Sequence, residues 1–328
     1  MNHLRRIALL PVAMLILAAC QAGGNGGQSA GESAAESAAE SGGASQPAAS
    51  GATGGPVCDD YSGDDYLGRI CEAGVIVVST DPEYPPQSYA DGDTFAGFDI
   101  DVATEIANRL GVDIEWETPG WEAITAGNWS GRWDMSVGSM TITEDRKEII
   151  DFTQPYYYTP AQMATYSGSG IASVDDLAGE TVCVGGGTTY LQWLDGTLTL
   201  TEEAGDVTEP PEGVQSTTFD TDINCAEDWR AGRTNFAGWL SSSTTVEGAI
   251  ANGFEIEKVG DPVFYEPLAV AFDNTVEDND SLVEAVDEII GQMHEDGTLS
   301  ELSRHWYCAD GTYPCEDESL ALDLTVRD

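Results

Sequence analysis

The sequence predicts an α/β fold. Short β-branched runs recur after residue 57, and stretches with a single apolar helical face lie between them. The chain has 328 residues and is 41% hydrophobic, enough apolar material to fill one large core or two ordinary ones.

Val75-Ile76-Val77-Val78 has the pattern of a buried strand. Ile100 to Leu110 places apolar residues at 100, 103, 106, 107 and 110, one face of a helix. Gly111 follows where a glycine C-cap belongs. Val112 to Trp116 alternates like a second strand, Asp134 to Gly138 reads as a third and Glu180 to Val184 as a fourth. Cys225 to Ala231 reads as a short helix. Ser281 to His294 is a longer one, apolar at 282, 285, 286, 289, 290 and 293. Strands alternating with helices predict parallel sheets. The run Gly185-Gly186-Gly187-Thr188-Thr189 follows a strand but has no P-loop lysine and no dinucleotide glycine spacing. No cofactor is expected.

Charge narrows the function. There are 12 Lys and Arg against 58 Asp and Glu, a formal net charge of −46. A phosphate backbone requires clustered cations, so nucleic-acid binding is excluded. The three histidines are His3, His294 and His305, the last two expected on one helix near the C-terminus. That number is too small for a His-based zinc site or a Ser-His-Asp triad, and no metal site is expected.

The first residues read MNHLRRIALLPVAMLILAAC. A basic start, a short apolar core and small residues describe a signal peptide over 1–19. The ending Leu17-Ala18-Ala19-Cys20 resembles the bacterial lipobox, which implies cleavage before Cys20 and a lipid on its sulfur. Residues 21–56 hold no hydrophobe larger than Ala, so with Cys20 they are expected to form a disordered, lipid-anchored tether. Six cysteines remain, an even number suited to three disulfides in an exported chain. They allow 15 connectivities; sequence proximity favours Cys58–Cys71 and Cys308–Cys315, which leaves Cys183–Cys225.

Four motifs occur in order: Thr80-Asp81-Pro82-Glu83-Tyr84-Pro85-Pro86, Gly97-Phe98-Asp99-Ile100-Asp101, Gly138 through Lys147 (GSMTITEDRK), and Asp151-Phe152-Thr153-Gln154-Pro155-Tyr156-Tyr157. With the ending Asp296-Gly297-Thr298-Leu299 through His305-Trp306, they resemble the family 3 extracellular solute-binding proteins over about residues 70–307. The resemblance implies a type II periplasmic-binding-protein-like fold, with two α/β lobes, two crossover hinge strands and a ligand cleft. Lobe 1 would be 57–160 plus 262–328 and lobe 2 would be 161–261, with hinge strands near 162–166 and 257–264. Such a protein closes on its ligand by hinge motion.

The resemblance also implies a site. Arg146 would grip a ligand carboxylate with its planar fork. Ser139 and Thr141, just before it, would offer a backbone N–H and a carbonyl. Tyr84 and Trp121 would form aromatic walls, and Asp81 would meet the ligand side chain. Gly187, Thr188 and Thr189 would open a helix whose free N–H groups give a second grip on the carboxylate. The family's acidic partner for a ligand ammonium falls, by counting, on Leu240, flanked by Trp239 and Ser241. An apolar wall there favours a modified or cyclic amino-acid-like solute over an ordinary polar amino acid.

The expected role is therefore a monomeric lipoprotein, anchored outside the cell membrane, that delivers a small amino-acid-like solute to an ABC permease and ATPase. A solute sensor or interaction module is the alternative, and a dehydratase-like enzyme on the same fold a more distant one. A charge this negative repels itself and counter-ions screen it, so melting temperature should rise between low and high salt. A melting temperature indifferent to salt would show that repulsion is not limiting.

Overall fold

In the computed structural model, which describes residues 55–201 and 205–326, a single ten-stranded sheet runs through both halves of the molecule. The leader and Cys20 lie outside the described residues. The strands in chain order are β1 Val75–Ser79, β2 Glu83–Tyr84, β3 Ser88–Asp91, β4 Thr94–Ala96, β5 Asp113–Glu117, β6 Met135–Thr141 and β7 Ile150–Phe152. There follow β8 Tyr157–Tyr166, β9 Thr181–Gly185, β10 Gln215–Phe219, β11 Gly238–Ser242, β12 Ile256–Lys258 and β13 Phe264–Asp273.

The sheet order is β10-β9-β11-β8-β13-β6-β1-β5, with β2, β3 and β4 in a separate small sheet. Strand β1 pairs in parallel with β5 and β6, and β9 in parallel with β10 and β11. Between these parallel sets lie β8 and β13, which are antiparallel to each other and to their neighbours β11 and β6. The expectation of purely parallel sheets is corrected here, because these two strands carry the chain across and back. The second crossover also begins later than expected. Ile256–Lys258 is β12, paired with β8 in the second lobe, and the crossing strand starts at Phe264.

Each lobe has its own core. In the first, the helices Phe98–Leu110, Asp280–Glu295 and Thr298–Trp306 bury Val102, Ile106, Ile289 and Leu299 against Ile76, Val78 and Val137 of the sheet. A smaller cluster of Ile124, Trp129, Trp133 and Met140 is also buried in this lobe. The helical periodicity predicts the first of these helices to within two residues at its start, and Gly111 adopts φ 88 as its C-cap. His294 and His305 lie on two helices rather than one. The first ends at Glu295 with Asp296 as its C-cap, and Gly297, at φ 85, is the N-cap of the second, which begins at Thr298.

In the second lobe, alternation along each strand sends neighbours into different layers. Val182 and Val184 pack with Leu240, Trp193 and Phe264, whereas Cys183 packs with Trp239, Cys225, Trp229 and Val246. Three disulfides, Cys58–Cys71, Cys183–Cys225 and Cys308–Cys315, complete the fold. Among the described residues no helix is long and apolar enough to cross a membrane.

Cys183 and Cys225 are fully buried and close a loop 42 residues apart in sequence. A Cys183→Ser, Cys225→Ser double variant should lose roughly 3–4 kcal/mol in denaturant unfolding, from the loop-closure entropy restored to the unfolded chain. A loss under about 1 kcal/mol would show that this bridge does not brace the second lobe.

Candidate functional site

A cleft opens where the C-terminal ends of β1, β6 and β9 face one another across the crossing strands. The first lobe lines it with Asp81, Tyr84, Trp121, Gly138, Ser139, Thr141 and Arg146. The second lobe contributes Gly185, Thr188, Thr189, Tyr190, Asp220, Thr221 and Asp222, and the crossing strand β13 contributes Glu266.

Arg146 is held at the centre. It opens a one-turn 3-10 helix, Arg146–Glu148, after the β6 turn, and is only 5% exposed. Its Nη1 donates to the Thr141 carbonyl of the first lobe at 2.9 Å, and its Nη2 to the Gly187 carbonyl of the second at 3.1 Å. Its guanidinium lies 5.9 Å from the centre of the Trp121 ring. Burial pushes its pKa down to about 10, against an upward pull from Glu266, so it stays charged at neutral pH.

Glu266 joins the lobes. It is 1% exposed and accepts hydroxyl hydrogen bonds from Thr141 in the first lobe at 2.6 Å, and from Thr189 at 2.5 Å and Tyr190 at 2.7 Å in the second. Burial raises its pKa and these donors lower it. Further contacts bridge the cleft. Tyr84 and Tyr190 share a hydroxyl contact at 3.2 Å, Gln87 Nε2 donates to Ser242 Oγ at 3.0 Å, and Thr221 Oγ1 donates to the Glu83 carbonyl at 3.0 Å.

Ser139 is set by a buried acid behind it. Its backbone sits at φ 57, left-handed for a non-glycine residue. Its hydroxyl donates to Asp99 Oδ2 at 2.7 Å, Tyr156 donates to Asp99 Oδ1 at 2.7 Å, and the Ser139 N–H donates to the Tyr156 hydroxyl at 3.0 Å. Asp99 is fully buried, and burial pushes its pKa up to about 7.

The sequence-predicted residues divide as follows. Asp81, Tyr84, Trp121, Ser139, Thr141, Arg146, Thr188 and Thr189 all line the cleft. Thr188 caps the helix Thr189–Leu194, its hydroxyl accepting from the Leu191 N–H. Gly187 is not among the lining residues, and its carbonyl accepts from Arg146. Its φ of 71 favours glycine, and a Cβ there would lie 3.0 Å from Thr125 Oγ1. Trp239 and Ser241 do not line the cleft. Trp239 is fully buried in one layer of the second lobe and Leu240 in the other, because successive strand residues face opposite sides. No apolar wall forms around Leu240, and the Ser241 hydroxyl instead supports Asp222.

Asp222, Glu266 and Tyr190 were missed by the motif reading. Glu266 had a signal: it is the lone charge within Phe264-Tyr265-Glu266-Pro267-Leu268-Ala269-Val270-Ala271-Phe272. Asp222, one residue before a helix, reads as an ordinary cap.

The chain matches the family model described as bacterial extracellular solute-binding proteins, family 3, over residues 76–309, and it belongs to that family. The L-cystine-binding protein TcyJ of Escherichia coli (strain K12) is 29% identical over 249 residues, 75% of this chain and 87% of that protein. Among solved structures, an ancestral arginine-binding protein bound to arginine matches at TM-score 0.61 and 26% identity, covering 71% of this chain and 98% of that one. The ancestral amino acid-binding protein AncCDT-1, a precursor of cyclohexadienyl dehydratase, matches at TM-score 0.61 and 27% identity, covering 74% and 99%. The fold is that of the type II periplasmic amino-acid-binding proteins, and the family consists of binding proteins.

Because the Asp99 carboxyl rises from an ordinary 3.8 to about 7 on folding, its contribution to stability is full below pH 4 and is lost as pH rises to about 7. Asp99→Asn removes that contribution. The variant should show a shallower fall in unfolding free energy between pH 4.5 and 7.5, by roughly 2–4 kcal/mol. Parallel curves for the two proteins would rule out a buried, proton-binding Asp99.

Proposed function

We propose that this chain is the substrate-binding lipoprotein of an ABC importer. It captures a small amino-acid-like solute in the cleft and delivers it to a permease and ATPase. Membership of the solute-binding family supports capture outside the cytoplasm. The leader and Cys20 support lipid anchoring, and the role needs only one copy of the chain.

Buried Arg146 carries the reading. A guanidinium has five N–H donors, and this one gives two to carbonyls on opposite lobes. The remaining donors serve a ligand carboxylate at the point where both lobes converge. Binding there favours the closed arrangement, since the anion engages a cation already joined to each lobe. Trp121 covers the guanidinium and excludes water, while Ser139, Thr141 and Thr188 supply neutral polar contacts.

The ligand class is revised from the sequence expectation. Buried carboxylates rather than an apolar wall line the cleft, which favours a free amino group over a cyclic or alkylated cation. A dehydratase-like reading predicts that the solute is consumed, whereas a receptor returns it unchanged. Calorimetry followed by mass analysis of the recovered solute separates the two.

Arg146→Ala should weaken binding of the best-bound amino acid by about 2–5 kcal/mol, as expected when a buried charge loses its partner. Arg146→Lys should recover only part of this, since the fork is lost. An alanine variant that binds within about threefold of the parent would refute the assignment.

A further inference from the structure

The lobes also meet outside the cleft. Residues 308–315, near the C-terminus, form a ring closed by the Cys308–Cys315 disulfide. The ring is fixed to the first lobe. Cys308 is buried and bridges to Ala321, and the Cys315 N–H donates to the His305 carbonyl at 2.6 Å. The Tyr313 ring packs edge-on against Tyr89 of β3, with centroids 5.7 Å apart. From this base the loop reaches the second-lobe helix Ser243–Ala251, which directly follows β11.

Two glycines, one from each lobe, make this approach possible. Gly311 sits at φ 78, and a Cβ there would overlap the Glu247 carbonyl of the helix. Gly248 lies beneath the Tyr313 ring, where a Cβ would come 3.0 Å from Tyr313 Cε1. Past the end of the helix, Asn252 Nδ2 donates to the Tyr313 hydroxyl at 3.2 Å. The first turn of the same helix meets the first lobe a second time. Buried Gln87 Nε2 lies 3.0 Å from Thr244 Oγ1 and 3.3 Å from Thr245 Oγ1, besides its bond to Ser242.

None of these residues lines the cleft, and the family match ends at residue 309, before Gly311, Tyr313 and Cys315. A contact made only when the lobes are together raises the population of the closed arrangement whatever the solute. The disulfide limits the alternatives open to the loop, so less chain is ordered when it docks. Resting on the binding-protein reading above, we propose that the 308–315 ring is a clasp. It holds the helix Ser243–Ala251 against the first lobe, biases the lobes toward closure and slows the release of bound solute.

The test compares the full parent chain with Gly248→Leu, whose side chain would meet the Tyr313 ring, and with the double variant Cys308→Ser, Cys315→Ser, which opens the loop. Hydrogen exchange is followed by mass spectrometry without added solute. Both variants should exchange about fivefold or more faster over residues 139–146 and 185–190, the two sides of the cleft. Strand β1 and the helix Phe98–Leu110 should keep parent rates, which reports a folded first lobe. Should one variant lose that protection, the other decides. In stopped-flow measurements with L-arginine, L-glutamine and L-cystine, a probe that the parent binds should leave both variants about fivefold faster. Faster exchange confined to residues 308–315 and 243–253 would make the ring a local brace and overturn the clasp, as would an unchanged dissociation rate. If no probe binds the parent, the amino-acid reading is overturned instead, and the exchange comparison alone decides the clasp.

Discussion

Much of the site depends on Glu266. A carboxylate buried in the middle of a crossing strand must be surrounded by donors, or its desolvation destabilises the fold. Here the donors are hydroxyls, and they come from both sides of the cleft, Thr141 from one lobe and Thr189 and Tyr190 from the other. The set is complete only when the lobes meet. Arg146 lies close enough for Glu266 to support its charge, yet it donates to carbonyls rather than to the acid. The guanidinium is thus charged, buried and not neutralised by direct pairing, which is the state a carboxylate-binding arginine requires.

Hydroxyls suit this architecture because they satisfy a buried acid without pairing it with a cation. Asp99 takes Ser139 and Tyr156, Glu266 takes two threonines and a tyrosine, and Asp222 takes a serine and a backbone N–H. A lysine or arginine in any of these places would quench the field. Asp99 also shows how a residue outside the cleft shapes it. By binding the Ser139 hydroxyl, and Tyr156 which in turn receives the Ser139 N–H, it holds a non-glycine residue at positive φ on the cleft wall.

The helices Phe98–Leu110, Ile223–Arg230 and Asp280–Glu295 and the β1, β5, β6 and β9 strands were legible in the sequence because their local pattern matches their burial, whereas Tyr66–Ala73 and Ser243–Ala251 were not read as helices. Ile100 to Leu110 faces one core, and Val75 to Val78 is enclosed by neighbouring strands. The crossing strands were not read as long strands from pattern, because each carries a proline, Pro160 in β8 and Pro267 in β13, which weakens a central-strand reading. The first-lobe residues around Arg146 were legible because they sit in one continuous motif. The second-lobe half was read less well. Counting along β11 assigned Leu240 and its neighbours to the ligand, but strand alternation commits Trp239 and Leu240 to two different cores. Asp222 comes from a separate turn, and only the tertiary fold brings it beside Ser241.

The acidity of the chain has two physical meanings that composition alone does not separate. Exposed acids repel one another weakly through water, and salt screens them. Buried acids interact more strongly with a charge that reaches them, because low-dielectric surroundings and neutral donors screen little, while burial raises the pKa of Asp81, Asp222 and Glu266. Among the residues lining the cleft, Asp81, Asp220, Asp222 and Glu266 are acidic, and Arg146 is the one cation. An anionic solute alone would leave the acids uncompensated, and a cationic solute alone would leave Arg146 without its counter-charge. Under the proposed function a zwitterion would answer both, its carboxylate toward Arg146 and its positive end toward the acids. Discrimination would then rest on the separation of opposite charges within the solute, which binding by either charge alone does not provide.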